Sequence, residues 1–366
     1  MRTSSKHDKI FLGIVGITLV FGLFVFVSAA LSVLAEDSSL FYRTLFNQLV
    51  LGLVGGGIAF YLSSRIEYKI WKRYALGFFI VSLLATLLVF IPGLGFEHGG
   101  ARRWLNLGPI SFQPAELLKL GFVIYWAAWL SWVKTKVTSM KWGLLPFIVL
   151  SAITAGILLL QPDTGTVLVI LLAGGIMFFV AGAKWRDIAI LLVLGLVGFG
   201  ALIAVRPYVL DRVTTFLDPT HDPLGSSYQI QQSLIAVGSG KIVGRGYGQS
   251  VQKFNYLPEP AGDSVFAVMS EELGFIGAIV LLLLILGFVL RGYRIAQSSR
   301  TMFGTYVVVG LVTLIVSQSF LNIGSALGVL PLTGLPLIFV SQGGTALLFA
   351  LFEVGIIVNI SKYRKL

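Results

Sequence analysis

The residues of this chain whose types could do chemistry are carboxylates and cations set at the ends of long apolar runs or inside them. In NYLPEPAGDSVFAVMSEELGF (255–275), Asp263 stands one residue before an apolar run, and Glu271 and Glu272 lie within it. A carboxylate in that position serves either as a helix N-cap or as a base, and the local sequence alone leaves both readings open. Glu271 follows Asp263 by eight residues, a little over two helical turns, so the two project from about the same face. Glu272 points about 100° away from Glu271, which makes it the one expected to brace the structure. In FQPAELLKL (112–120), Glu116 and Lys119 share a helical face. They are either an ion pair that makes insertion tolerable or part of the wall of a polar cavity. Asp163 in QPDTGT (161–166) reads as an N-cap that can also face a cavity. Arg102 and Arg103 bring guanidinium forks that match phosphate oxygens, or else touch lipid headgroups. Glu353, within the last apolar run, reads as structural.

Composition determines which elements must position these groups. Of 366 residues, 56% are hydrophobic and 12% charged, with mean hydropathy +0.91, well outside the range of soluble domains. The chain therefore reads as an all-α polytopic membrane protein. Ten apolar segments of about the length that crosses the hydrocarbon core run over residues 10–35, 44–63, 74–92, 113–133, 142–160, 163–182, 187–205, 264–290, 302–328 and 335–360. With both termini on the cytoplasmic side, inside segments hold 18 Lys and Arg and outside segments eight. The inside then nets +15 and the outside −1. This positive-inside pattern accounts for the net charge of +11 and removes the case for nucleic-acid binding. There are no cysteines, hence no disulfide or thiolate chemistry, and His7, His98 and His221 lack metal-ligand spacing.

Two outside segments are long enough to hold a site: 93–112, and the stretch of nearly 60 residues over 206–263 between spans seven and eight. Within the second, SSYQIQQSLIAVGSG predicts a short amphipathic helix at the interface.

Four blocks then carry a resemblance: GARRWLNLGPISFQPAELLKL, LLQPDTGT, FLDPTHDPLGSSYQIQQSLIAVGSGKIVGRGYGQSVQKFNYLPEPAGDSVFAVMSEELGFIG and NIGSALGVLPLTGLPLIFVSQGGTALL. In this order they resemble the SEDS family (shape, elongation, division and sporulation) of bacterial cell-wall synthesis, over nearly the whole chain. SVQKFNYLPEP followed by DSVFAV is more similar to the division branch (FtsW type) than to the elongation branch (RodA type). PAGD stands where the family commonly has HTD, and FVSQGG where it has FVSYGG, so a role for that tyrosine does not pass to Gln342.

The resemblance implies a single membrane domain over 1–366 with its catalytic loop at 206–263, in the bacterial inner membrane, acting on the extracytoplasmic face. It implies a peptidoglycan glycosyltransferase that polymerises lipid II into β-1,4 glycan in septal synthesis. A class B penicillin-binding protein and other division membrane proteins would be its partners. Asp263 would be the general base. Arg102, Arg103 and Lys119 would bind pyrophosphate, Glu116 would hold Lys119, and Gln113, Asp163, Lys253 and Glu259 would complete the substrate-binding set. No cofactor is certain; a divalent cation (Mg2+ or Mn2+) on Asp263 or Asp163 stays open. The rival readings are a lipid II flippase or transporter, a RodA-like polymerase, and a non-catalytic division scaffold.

Overall fold

The structure is a computed structural model that describes all residues except 1–6, 37, 99–100, 109, 220–221, 223–224, 226 and 364–366. His221 and the last two basic residues counted above lie outside the described residues. Thirteen helices and one small sheet follow in chain order among them. The first four helices are α1 (Lys9–Glu36), α2 (Ser38–Arg65), α3 (Tyr68–Arg73) and α4 (Ala75–Phe90). Strands β1 (Gly95–His98), β2 (Ala101–Leu107) and β3 (Ile110–Phe112) precede α5 (Pro114–Val133), α6 (Met140–Leu160), α7 (Thr164–Val180) and α8 (Trp185–Val205). The chain continues with α9 (Pro207–Leu217), α10 (Tyr228–Ser239), α11 (Val265–Ser298), α12 (Met302–Ala326) and α13 (Gly344–Ser361). Each of the ten expected spans falls on a helix. Eight helices are long and apolar enough to cross a membrane, and α4 and α7 are shorter apolar helices.

Burial sorts these helices by neighbour. α5, α12 and α13 are mostly buried and form the centre, with Phe122, Val123, Leu311, Val312, Val354 and Ile357 sealed from the surface. Helix α8 is the opposite case, with none of its apolar window buried. Ile188, Ile190 and Leu191 near its start pack against the core, and the apolar remainder faces lipid.

The helical membrane architecture is as expected, with local departures. One short segment is not helical: residues 95–112 hold a three-stranded antiparallel sheet in the order β1-β2-β3. The tenth helix begins at Gly344 rather than at 335. Pro331, Pro336 and the positive-φ Gly328 and Gly334 keep the preceding stretch non-helical. The long segment holds the expected amphipathic helix, α10, and also α9, whose start has Pro207 at the first helical position.

Helix α11 is interrupted at Gly274 (φ 64°). There the loop after α10 replaces the helix's own ladder. Arg245 and Gly246 donate to the carbonyls of Glu271 and Glu272 (2.9 and 3.1 Å), and Phe275 and Ile276 donate to the carbonyls of Lys241 and Ile242 (2.9 and 3.1 Å). A Cβ on Gly274 would collide with the backbone of Gly244 and Ile242, so only glycine permits this approach. Irregular backbone buried inside a membrane protein must be satisfied this way.

Candidate active site

Asp263 closes the turn that Pro258, Pro260 and Gly262 build ahead of α11. Gly262 and Ser264 donate to the carbonyl of Glu259 (3.0 and 3.3 Å), which itself sits in left-handed backbone (φ 46°). Ser264 takes the N-cap position of α11 without a side-chain capping bond. The Asp263 carboxylate instead accepts from Gln229 Nε2 of α10 (3.0 Å), which also donates to Ser264 Oγ (3.1 Å). Its carbonyl accepts from Asn322 Nδ2 of α12 (2.7 Å). The turn, α10 and α12 therefore fix this half-buried residue without using its carboxylate as a cap. Burial pushes its pKa up to about 6 and the nearby Glu259 adds to this, while the Gln229 bond and the Arg212 charge pull the other way.

The cations around Asp263 differ from those expected. Arg212 on α9 feels the charges of Arg103, Asp163 and Asp263, and its guanidinium lies 5.9 Å from the Tyr208 ring centre. Burial and the neighbouring Arg103 charge push its pKa down, the mark of a cation held in a partly dry place beside a like charge. Its one hydrogen bond among the described residues runs from Nη1 to the Thr333 carbonyl (3.4 Å). Arg103 on β2 donates to the carbonyls of Gln161 (3.2 Å) and Pro162, and so joins the sheet to the turn that carries Asp163. Asp163 caps α7 through Thr166 N (3.2 Å) and Thr166 Oγ1 (2.9 Å), and it is buried.

Around these charges, buried polar atoms stand without a partner: Gln161 Oε1, Tyr208 Oη, Ser227 Oγ, Asn322 Oδ1 and Thr333 Oγ1. All but Ser227 belong to residues that contact Asp263, Arg103 or Arg212. An unmade hydrogen bond on a buried group costs about 1–3 kcal/mol, so these atoms suit a ligand rich in hydroxyls.

A divalent cation would need free carboxylate oxygens. Both oxygens of Asp163 are engaged in capping. Among the described residues no three His, Asp or Glu gather as a metal ligand set. Asp163, with both oxygens so engaged, does not fit as a metal ligand.

Residues 8–366 match the model of the FtsW/RodA/SpoVE family, described as "Cell cycle protein". The chain belongs to this family. It is 38% identical to Stage V sporulation protein E of Bacillus subtilis, covering all of both chains. It is 37% identical to a probable peptidoglycan glycosyltransferase FtsW of Geobacter metallireducens, with 100% and 97% covered. Among solved structures it resembles a chain of a peptidoglycan synthase complex that coordinates polymerisation and crosslinking (TM-score 0.78, 30% identity, 98% of each chain covered). It also resembles the rod shape determining protein RodA of Thermus thermophilus (TM-score 0.70, 28% identity, 98% and 97% covered).

For this FtsW/RodA/SpoVE member, several expected site residues lie elsewhere. Neighbouring residues of a strand point to opposite faces, so only one of the two arginines can enter the site. Arg102 turns outward to the exposed Glu97 (3.2 Å), its partner across the strands. Lys119 is deep in the bundle, held by Glu116 Oε2 (2.8 Å) and Gln318 Oε1 (2.6 Å). Gln113 ends the sheet connection, its N–H donating to Thr345 Oγ1 of α13 (3.4 Å). Glu259 is exposed in the turn beside Asp263.

Lys253 is corrected most strongly. Its Nζ is fully buried and donates to Glu272 Oε1 (2.7 Å), Ser28 Oγ (2.9 Å) and the carbonyls of Ser28 and Gly248 (3.1 Å each). No donor is left for a substrate. Glu271, expected on the cavity face below Asp263, is wholly buried and gathers Ser250 Oγ (2.6 Å) and the N–H groups of Val251 and Gln252 (3.2 Å each). Both glutamates therefore brace the 240–255 loop against the kinked helix.

The sequence reading missed Arg212, Gln229 and Asn322. Asn322 is an uncharged polar residue fully buried in an apolar span, and that signal is visible in sequence once amides are weighed alongside charges.

Proposed function

We propose that this multi-pass membrane protein is a peptidoglycan glycosyltransferase that polymerises lipid II from the site around Asp263. Family membership supports the enzyme class. The observation that carries the site assignment is that Asp263 is fixed by Gln229 at its carboxylate and by Asn322 at its carbonyl, held at a pKa near 6, and set near the Arg212 charge, which in turn neighbours Arg103.

The carboxylate accepts the proton of an acceptor sugar hydroxyl as that oxygen attacks the anomeric carbon of the donor. The bond from that carbon to the pyrophosphate oxygen breaks, and the lipid pyrophosphate leaves with the electron pair. A base with a pKa near 6 is largely ionised at neutral pH and still able to take a proton. Arg212 and Arg103 stabilise the charge that develops on the leaving group. A single displacement inverts an α-linked donor to a β product, and no second carboxylate is needed as nucleophile. Gln161, Tyr208, Asn322 and Thr333 supply hydrogen bonds to the sugars and phosphates.

In this reading the whole chain is one membrane domain in the bacterial cytoplasmic membrane. Its termini are cytoplasmic and the sheet, α9, α10 and Asp263 face outward, as the charge asymmetry supports. A class B penicillin-binding protein cross-links the product beside it, a partnership in keeping with the synthase complex it resembles. The test is incubation of the purified protein in detergent with labelled lipid II. Polymer supports the proposal, whereas a well-folded protein that makes none and yet moves lipid II across vesicles is a flippase.

A further inference from the structure

Beneath the site, a small cavity in the centre of the bundle is lined by Glu116, Lys119, Gln318 and Glu353. It holds two carboxylates and one ammonium. Lys119 reaches Glu116 (2.8 Å) and Gln318 Oε1 (2.6 Å). An ammonium has three donors, and the third meets no acceptor among the described residues. Glu353 is 4% exposed and makes no hydrogen bond or ion pair among them. Its neighbours across the cavity are the Lys119 and Glu116 charges. A vacant donor and a vacant acceptor thus face one cavity, in a place where an unpaired carboxylate is costly.

Lys119 is also connected to Asp263. Gln318, which receives its proton, passes a bond from Nε2 to the Pro336 carbonyl (3.0 Å). One turn on along the same face of α12, Asn322 donates to the adjacent Leu335 carbonyl (2.8 Å) and to the carbonyl of Asp263 (2.7 Å). The non-helical stretch ahead of α13 is pinned at consecutive carbonyls by these two amides.

We infer that Glu353 is a positioning residue: from across the cavity it offers the Lys119 ammonium a second carboxylate beside Glu116, and so helps hold the Gln318, Pro336, Leu335 and Asn322 chain that seats Asp263. Either carboxylate alone keeps Lys119 against Gln318. With neither, the ammonium withdraws from Gln318 and Asp263 loses its register. This inference rests on the proposed polymerase reaction.

The experiment is a cycle of Glu116→Gln, Glu353→Gln and the double variant, measured on the purified full chain with lipid II. Each single change lowers kcat about threefold or less. The double change lowers it more than about thirtyfold at temperatures where the protein is folded, with KM close to that of the singles, and it lowers the melting temperature because it strands the buried Lys119 ammonium. Losses that simply multiply, or a double variant no worse than Glu116→Gln alone, overturn the inference. So does a loss carried by KM. A second cycle, of Lys119→Met with Glu353→Gln, is read by melting temperature alone and needs no activity. Shared pairing makes the two changes non-additive, because Glu353→Gln relieves a stranded carboxylate once Lys119 is gone; additive shifts overturn it. A wild-type protein that makes no polymer defeats the proposed function, and the melting cycle still decides the pairing.

Discussion

Asp263 is placed by groups that a capping role would not require. Gln229 holds the side chain and Asn322 the carbonyl, while Ser264 takes the cap position. Its raised pKa fixes the sign of the pH response. A base must be ionised, so the polymerisation rate climbs as pH rises through about 6 and falls about tenfold per unit below it. Rates measured from pH 5 to 8 check this, and a flat profile contradicts it. Stability moves in the opposite sense. The folded protein binds the proton more tightly than the unfolded chain, so this group favours folding most below the ordinary value of 3.8. That contribution is lost as pH rises through about 6. At pH 8, Asp263→Asn therefore stabilises the fold by about 1–3 kcal/mol, the upper figure being two pKa units converted. Thermal unfolding of both proteins at pH 8 reads the difference. Arg212→Ala lowers kcat about 100-fold, the scale for removing one preorganised charge-stabilising group, and Arg212→Lys recovers part of it by keeping the charge without the fork. Arg102→Ala stays within about threefold of wild type, because that arginine faces Glu97. Steady-state kinetics on the three variants separate the two arginines.

At the scale of elements, the kinked α11 and the loop docked into it form one unit. Lys253 and Glu272 are buried together, so removing either partner strands a charge. Lys253→Met is expected to cost about 3–5 kcal/mol, much of which Lys253→Met combined with Glu272→Gln restores; denaturation midpoints of the two variants test this. Most helices were legible in the sequence, because twenty-residue apolar runs leave little choice within a membrane. Amphipathic α10 was legible for the same reason of periodicity. The sheet was not, since ARRWLNL alternates only in part, and nor was the non-helical stretch before α13, which reads as mostly apolar. Asp263 was legible from its motif. Arg212 was passed over as one basic residue among several in a long segment, and Lys253 was misassigned because sequence does not reveal that a lysine beside turn residues is folded inward onto Ser28 and Glu272.

For the whole molecule, the mostly buried α5, α12 and α13 form a rigid centre that carries the Glu116, Lys119, Gln318 and Asn322 network, while the loop-bearing elements close over Asp263. Helix α8 stands in lipid at the edge. The molecule thus combines a fixed polar interior with a site at one face, as one-sided chemistry on a lipid-borne sugar requires. The measurement that addresses this most directly is the rate at which purified, well-folded Asp263→Asn protein polymerises lipid II in detergent at pH 7.5, beside wild type. The account predicts polymer from wild type and a loss of at least about 100-fold in the variant, in keeping with removal of a general base. A variant that polymerises at close to the wild-type rate contradicts it.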